Sequence, residues 1–150
     1  MILKNIRYLV TQNPQRDVLE DVDVLVDEDE ITGIGRNIPV GGHEVIDCSD
    51  KAVMPGLVNA HTHASMTLFR GIEDNKEVED WLNEVIFPAE EQLGPGDAYT
   101  GALVATAEML LTGTTTFNDM YDHMHMVANA VQQSGMRAVL GRGLLDLDGE

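Results

Sequence analysis

Two histidines, His61 and His63, end an apolar stretch that begins at Val53 and is rich in strand-forming residues. In an extended strand, successive side chains alternate between faces, so residues two apart point to the same side. Neutral imidazoles are good ligands for zinc and related metals, and two on one face can bind a single ion at about 2.0–2.1 Å. Bound zinc lowers the pKa of its water to about 7, which makes hydroxide available as a nucleophile. The spacing therefore predicts a metal site at a strand end.

The residues on both sides of this pair indicate which class of protein carries it. A Pro-Gly turn precedes the strand, and barrel enzymes carry their catalytic residues at the C-terminal ends of such strands. The informative segments are PGLVNAHTH at 55–63, MTLFRG at 66–71, DWL at 80–82 and FPAE at 87–90. Together they resemble the metal-dependent amidohydrolases. Within these, they resemble the branch that deaminates 5-methylthioadenosine and S-adenosylhomocysteine and that also contains triazine chlorohydrolases. The resemblance runs from about Leu3 to Gly143.

The resemblance implies an α/β fold, the N-terminal part of a TIM-like (β/α)8 barrel preceded by part of a small β-sandwich. We expect residues 1–54 to form the sandwich part, which strands from the far C-terminus complete in the family. Residues 55–150 would form the first two to three strand–helix units of the barrel. A barrel of this kind needs roughly 250 residues, and by that measure a chain of 150 residues looks like a fragment.

Residue patterns agree with this division. Short β-prone runs, including a hairpin signal over residues 22–35, fill the first part. After Pro55 strands alternate with helices, which is typical of a parallel sheet. One helix is predicted to have Asp97 as its N-cap and Gly113 just past its end. In full, the pattern predicts strands at 57–61, 114–118 and 136–142 and helices at 77–87, 97–111 and 125–134.

Two residues match substrate contacts of the family. Glu90 matches a glutamate whose carboxylate accepts paired hydrogen bonds from the vicinal hydroxyls of a ribose. Arg142 ends the predicted third strand between two glycines. It matches an arginine that binds the carboxylate in the amino-acid tail of S-adenosylhomocysteine. From the residues alone, Glu90 is more often a surface acid, and a structural ion pair is the alternative for Arg142.

Two histidines do not complete a zinc site. The family takes another histidine and an aspartate from later strands, and a glutamate there shuttles protons. All three would follow Glu150, so we expect no catalytic acid or base within this chain. The resemblance implies one zinc ion, or another divalent metal ion, per subunit.

Four other residues carry weaker signals. His123 and His125 form a second His-X-His pair where the second strand gives way to a helix, and residues two apart on a helix diverge by roughly 200°. We therefore expect this pair to serve a helix start or a loop. Asp119, at the end of the second strand, is a candidate for the wall of a pocket or for a loop contact. Trp81 packs either over the substrate or in the core.

The composition excludes several classes of function. Nine basic and 26 acidic residues give a net charge of −17, which repels nucleic acid and anionic membranes. So large an excess is typical of halophilic proteins, with an ordinary acidic cytosolic protein as the alternative. The single cysteine, Cys48, excludes an intrachain disulfide and is expected to be a packing residue. No apolar run approaches about 18 residues, so we expect no membrane-spanning helix. We expect a cytoplasmic enzyme that acts on a small molecule and can form a homo-oligomer.

The resemblance implies a function for the full-length protein. It would use zinc to deaminate the adenine ring of 5-methylthioadenosine and S-adenosylhomocysteine by hydrolysis, with release of ammonia. One alternative is another hydrolase of the superfamily, such as a guanine deaminase, a triazine chlorohydrolase or a cyclic amide hydrolase. Glu90 and Arg142 favour a ribosylated, carboxylated substrate over these. The other alternative is a non-catalytic barrel scaffold, which the intact histidine pair disfavours.

Overall fold

The computed structural model describes residues 1–144 and divides after Pro55 into two compact units. The first unit is a five-stranded sheet. Its strands are β1 (Ile2–Val10), β2 (Val18–Asp27), β3 (Glu30–Gly35), β4 (Val45–Asp47) and β5 (Ala52–Val53). Because β2 pairs antiparallel with both β1 and β3, the predicted hairpin is confirmed. In contrast, β4 and β5 pair parallel with β1.

An apolar cluster fills the first unit. In β2, Val22 and Val24 are two residues apart and therefore lie on the same face of the sheet. Cys48 is buried and belongs to this cluster, which confirms that it is a packing residue. The other buried members are Ile6, Leu9, Val22 and Val24.

One carboxylate is also buried in the first unit. Asp23 is 3% exposed, and its Oδ2 atom accepts hydrogen bonds from Lys4 Nζ at 2.5 Å and from the Ile38 backbone N–H at 2.9 Å. Its Oδ1 atom accepts one from the Asn5 backbone N–H at 2.9 Å. Burial alone raises the pKa of Asp23, but the donors, led by Lys4, lower it more, so the pKa lies below its ordinary value. The carboxylate thus joins β1, β2 and the loop after β3.

We expect Asp23→Ala to destabilise the first unit by about 2–4 kcal/mol, because Lys4 and two backbone N–H groups lose their acceptor. Hydrogen exchange of β1 and β2 in urea measures this loss. Folding lowers the pKa of Asp23, so its contribution is complete above the unfolded pKa of about 3.9 and is lost as the pH falls through the folded pKa. Glu20→Ala, which removes an exposed acid from the same strand, is the control. Equal exchange in the two variants would contradict the prediction.

The second unit contains three parallel strands that pair in chain order. They are β6 (Leu57–Thr62), β7 (Thr114–Tyr121) and β8 (Arg137–Arg142). Between β6 and β7 lie a 3₁₀ helix (Ala64–Phe69), α1 (Val78–Trp81), a π-helix (Leu82–Ile86), α2 (Phe87–Glu90) and α3 (Pro95–Leu111). The connection from β7 to β8 is α4 (Met124–Ser134). The three strands predicted from the sequence are confirmed.

Two helices differ from their predictions. The helix predicted over 77–87 is interrupted by the π-helix. Furthermore, α3 begins at Pro95 with Gly94 as its N-cap, so the prediction of Asp97 as N-cap is wrong. Proline suits the first helical position because its φ is preset and the N–H that it lacks would be unpaired there. Asp97 Oδ2 instead accepts a hydrogen bond from the Gly94 N–H at 3.0 Å, and the helix ends before Gly113 as predicted.

The helices pack on one face of the sheet through a second apolar cluster. A Cβ atom on Gly101 of α3 would lie 2.5 Å from the carbonyl oxygen of Ser65. Because glycine lacks this atom, α3 can lie directly against the 3₁₀ helix that follows His63. On the opposite face of the sheet, Val58 and Val139 are exposed. The buried members of the cluster are Ala64, Ala102, Ala105, Phe117, Val127, Ala130 and Met136.

A membrane-crossing helix would need a long apolar segment. None of the helices within residues 1–144 has that length and apolar content.

Candidate metal and substrate site

His61 and His63 lie side by side where β6 ends. Their ring centroids are 4.9 Å apart, and the ring planes are inclined at 82°. Two imidazoles that bind one zinc ion through nitrogen, at tetrahedral angles and about 2.0–2.1 Å, have centroids about 5 Å apart. The observed spacing therefore fits a shared metal ion, and imidazole nitrogens are donors that suit zinc.

A hydrogen bond to the backbone orients the His63 ring. Its Nδ1 atom lies 2.7 Å from the carbonyl oxygen of Met120 on β7. A carbonyl oxygen only accepts, so Nδ1 carries a proton, and in the neutral ring Nε2 then presents a lone pair. Metal-binding histidines almost always donate their second ring N–H in this way, which fixes the tautomer and raises the basicity of the ligand nitrogen. The orientation of the His63 ring thus fits a metal ligand that binds through Nε2.

Asp119 anchors the chain on both sides of His63. It is 1% exposed, and its Oδ1 atom accepts hydrogen bonds from Thr62 Oγ1 at 2.8 Å and from the Ala64 backbone N–H at 3.0 Å. Its Oδ2 atom is buried and has no hydrogen-bond partner within residues 1–144. Of the two roles considered for Asp119, the structure shows the loop contact.

We expect Asp119→Ala to weaken zinc binding by the intact enzyme about 10- to 100-fold, because the turn that carries His63 loses both side-chain anchors. Competition for zinc against a chromophoric chelator measures the change. Asp80→Ala, which removes an exposed carboxylate from α1, is the control and should bind zinc normally. An unchanged zinc affinity in Asp119→Ala would show that this carboxylate does not support the ligand.

One cavity of about 890 Å³ brings most of the predicted site residues together. Sites for small molecules typically have volumes of about 300–1,000 Å³. His61 lies beside His63 but does not line this cavity. The other residues that line the cavity are mostly apolar. The residues singled out from the sequence that line it are His63, Trp81, Glu90 and Arg142.

The π-helix explains why Trp81 and Glu90 share this cavity. Residues of an α-helix turn by about 100° each, so two residues nine positions apart point in roughly opposite directions. The π-helix fits one extra residue into a turn, which shifts the residues after it by roughly 100° and brings Glu90 toward the side of Trp81. Such insertions are frequent at functional sites. Trp81 lines the cavity and, within residues 1–144, joins neither apolar cluster. This placement favours packing over a substrate, and not packing in the core, as the role of Trp81.

Arg142 ends β8 at the edge of the same cavity. Within residues 1–144 it forms no ion pair with a carboxylate. The described part of the chain therefore does not show the structural ion pair that was its alternative role. A guanidinium matches the geometry of a carboxylate with two parallel hydrogen bonds, so this position suits a ligand that carries a carboxylate.

Tyr121 is a residue of the cavity that the sequence analysis did not single out. Its hydroxyl donates a hydrogen bond to Glu90 Oε1 at 2.5 Å, and its side chain is 8% exposed. Burial, followed by the hydrogen bond to Glu90, raises the pKa of Tyr121 well above its ordinary value, so the hydroxyl keeps its proton. The available signal is the alternation along β7, which places Tyr121 on the same face as Phe117 and Asp119.

The second histidine pair occupies a turn and a helix. His123 is the N-cap of α4 with φ of +51°, and its Nε2 atom lies 3.2 Å from the carbonyl oxygen of Leu93. His125 follows within α4, and the two ring centroids are 6.3 Å apart. The helix-start role predicted for this pair is confirmed. In the described range 1–144, no three or more His, Cys, Asp or Glu side chains are grouped to hold a metal ion.

Comparison with known proteins defines the class. The model of the amidohydrolase family matches residues 52–150, and the chain therefore belongs to the amidohydrolase family. A 5′-deoxyadenosine deaminase of Methanosarcina acetivorans is 46% identical over 147 residues, which are 98% of this chain and 34% of the relative. A 5-methylthioadenosine/S-adenosylhomocysteine deaminase of Carboxydothermus hydrogenoformans is 50% identical over 131 residues, or 85% of this chain and 30% of the relative. The chain thus spans about a third of the length of these curated relatives.

A solved structure agrees with the fold. An adenosine deaminase from Xanthomonas campestris with bound zinc superposes with a TM-score of 0.84 at 36% identity, over 92% of this chain and 32% of that chain. The predicted α/β fold, with the first strands of a TIM-like barrel, is confirmed.

Proposed function

We propose that the intact enzyme deaminates the adenine ring of 5′-modified adenosines by hydrolysis, chiefly 5-methylthioadenosine and S-adenosylhomocysteine, and releases ammonia. The observation that carries this proposal is the cavity lined jointly by His63, Glu90 and Arg142. Relatives named as deaminases of such nucleosides support it. 5′-Deoxyadenosine belongs to the same substrate class, because it keeps the adenine ring and both ribose hydroxyls.

His61 and His63 would hold one metal ion per subunit, with the remaining ligands from later barrel strands. When bound, zinc supplies Lewis acidity and a hydroxide nucleophile at neutral pH. The ring spacing and the His63 tautomer fit this ion, and the zinc in the Xanthomonas adenosine deaminase supports the choice of metal.

Glu90 and Arg142 would bind parts of the substrate that do not react. The Glu90 carboxylate accepts hydrogen bonds from the 2′- and 3′-hydroxyls of the ribose. The Arg142 guanidinium pairs with the carboxylate of S-adenosylhomocysteine, a group that 5-methylthioadenosine lacks. Trp81 covers the nucleoside and excludes water from it. These contacts orient the adenine ring beside the histidine pair.

The deciding experiment incubates the intact, zinc-loaded enzyme with each nucleoside and follows the absorbance change from adenine to hypoxanthine. We expect both substrates to be converted, with activity lost on chelation and restored by zinc. If an enzyme with its full zinc content converts neither nucleoside, the proposal is wrong.

Other reactions of the family would use the same two histidines. Guanine, triazines and cyclic amides carry no ribose, so Glu90 would have no vicinal diol to bind. Guanine and triazines also carry no carboxylate, so Arg142 would have no partner in them. Turnover of one of these compounds in place of the adenosines would favour such a reaction. An intact protein that binds no metal would instead favour a non-catalytic scaffold.

A further inference from the structure

We propose that Tyr121 is a positioning residue whose hydroxyl holds the Glu90 carboxylate in the orientation that receives the ribose hydroxyls of the substrate. This inference rests on the proposed function, because it assumes that Glu90 binds the sugar. Tyr121 would act through Glu90 and not on the reacting ring.

The Tyr121–Glu90 contact joins a central strand to the helical side of the cavity. Tyr121 is the last residue of β7, which pairs with β6 and β8 on its two edges. Its buried ring lies 6.0 Å from the His63 ring, measured between centroids. Glu90 is the last residue of α2 and is half-buried. The distance of 2.5 Å from the Tyr121 hydroxyl oxygen to Glu90 Oε1 is that of a strong hydrogen bond to a carboxylate.

This hydrogen bond decides which acceptor positions of Glu90 remain for a ligand. A carboxylate has two oxygens with about four acceptor positions. Tyr121 takes one of them at Oε1, and no other side chain within residues 1–144 donates to Glu90. The remaining positions can accept both hydroxyls of a vicinal diol. Without the contact, Glu90 would populate several rotamers, and only some of them could accept both hydroxyls.

A second hydrogen bond, which does not involve the Tyr121 hydroxyl, attaches the residues after Glu90 to the turn after β7. His123 follows Tyr121 by two residues, and its Nε2 atom contacts the carbonyl oxygen of Leu93 at 3.2 Å. The end of β7 and the turn after it therefore contact the end of α2 and the residues after α2 at two points. Only the Tyr121 contact involves the carboxylate, so loss of the Tyr121 hydroxyl should release Glu90 without detaching the segment.

The test compares the intact wild-type enzyme with Tyr121→Phe, on 5-methylthioadenosine and on its 2′,3′-dideoxy analogue. We expect the KM for 5-methylthioadenosine to rise about tenfold, with kcat and zinc content unchanged, because the substitution weakens only the binding of the ribose diol by Glu90. The KM for the dideoxy analogue should stay at the wild-type value. In a Glu90→Ala background, Tyr121→Phe should have no further effect on either substrate.

Tyr99→Phe is the matched control, because the Tyr99 hydroxyl donates to Gln133 Oε1 between α3 and α4, outside the cavity. This variant should leave both KM values unchanged. If Tyr121→Phe raises the KM equally for both substrates, or raises neither KM, the inference is wrong while the proposed function stands. A zinc-loaded wild type that deaminates neither nucleoside would overturn the proposed function, and the inference with it.

Discussion

The expected result for His63→Ala is loss of the metal ion and a fall in kcat/KM of about 10³-fold or more, since a catalytic metal supplies several kcal/mol of transition-state stabilisation. Elemental analysis measures zinc per subunit, and the adenine absorbance assay measures the rate. The Met120 carbonyl accepts a hydrogen bond from the His63 ring and so fixes its orientation. In this orientation the centroid of the His63 ring lies 4.9 Å from that of the His61 ring. Removal of the His63 ring breaks the pair, so His61→Ala should behave in the same way.

The second His-X-His pair offers a matched control for this experiment. His125 is exposed on α4, so His125→Ala should keep its full zinc content and rate. If His61→Ala and His63→Ala also keep their zinc, the metal site is not at the end of β6, and the metal-dependent function proposed for this site is wrong.

Glu90→Gln is expected to raise the KM for 5-methylthioadenosine about 100-fold while zinc content stays constant. The substitution keeps the size of the side chain but removes the charge that would strengthen both proposed hydrogen bonds to the ribose hydroxyls. Each such charge-assisted bond contributes about 1.5–3 kcal/mol. Steady-state kinetics on the zinc-loaded variant, with elemental analysis of the same sample, measure the effect.

The neighbouring acid provides the control for Glu90. Glu91 is exposed and does not line the cavity, so Glu91→Gln should have a normal KM. A similar KM in both variants would contradict the ribose contact. Loss of zinc in Glu90→Gln would mean that this carboxylate acts at the metal site and not on the sugar.

The strands and the helices of the second unit differ in how well the sequence predicts them. Strands β6, β7 and β8 were predictable because β-branched and apolar residues cluster there and keep their alternation in the structure. The helix predicted over 77–87 was not, because a period of 3.6 residues holds only while the helix stays α-helical, and the π-helix shifts every later residue. Asp97 resembled an N-cap, yet Pro95, two residues earlier, determines where α3 begins.

The site shows the same difference between local and distant information. The shared face of His61 and His63 follows from strand alternation alone. Tyr121 and Glu90 are 31 positions apart, and Asp119 binds a threonine 57 positions earlier. Such contacts depend on how strands and helices pack, which the periodicity of one segment does not encode. For this reason the shared face of His61 and His63 could be predicted from the sequence, whereas the contacts of Tyr121 and Asp119 could not.

The acidic composition leaves one expectation open. Within residues 1–144 the basic members of ion pairs are Lys4, His43, Lys51, Arg70 and Lys76. Most of the 26 acidic residues of the chain therefore have no basic partner in the described part. Self-repulsion of this kind weakens as salt screens the charges, and the halophilic origin stays a prediction.

The π-helix makes the length of the segment before Glu90 as important as its composition. Deletion of one residue, such as the exposed Asn83, would restore a regular α-helix and turn Glu90 away from Trp81 by roughly 100°. The gain or loss of a single codon can thus exchange the side chain that faces the cavity, with no substitution elsewhere in the chain. We expect family members whose substrates lack a sugar to differ in the number of residues at this point.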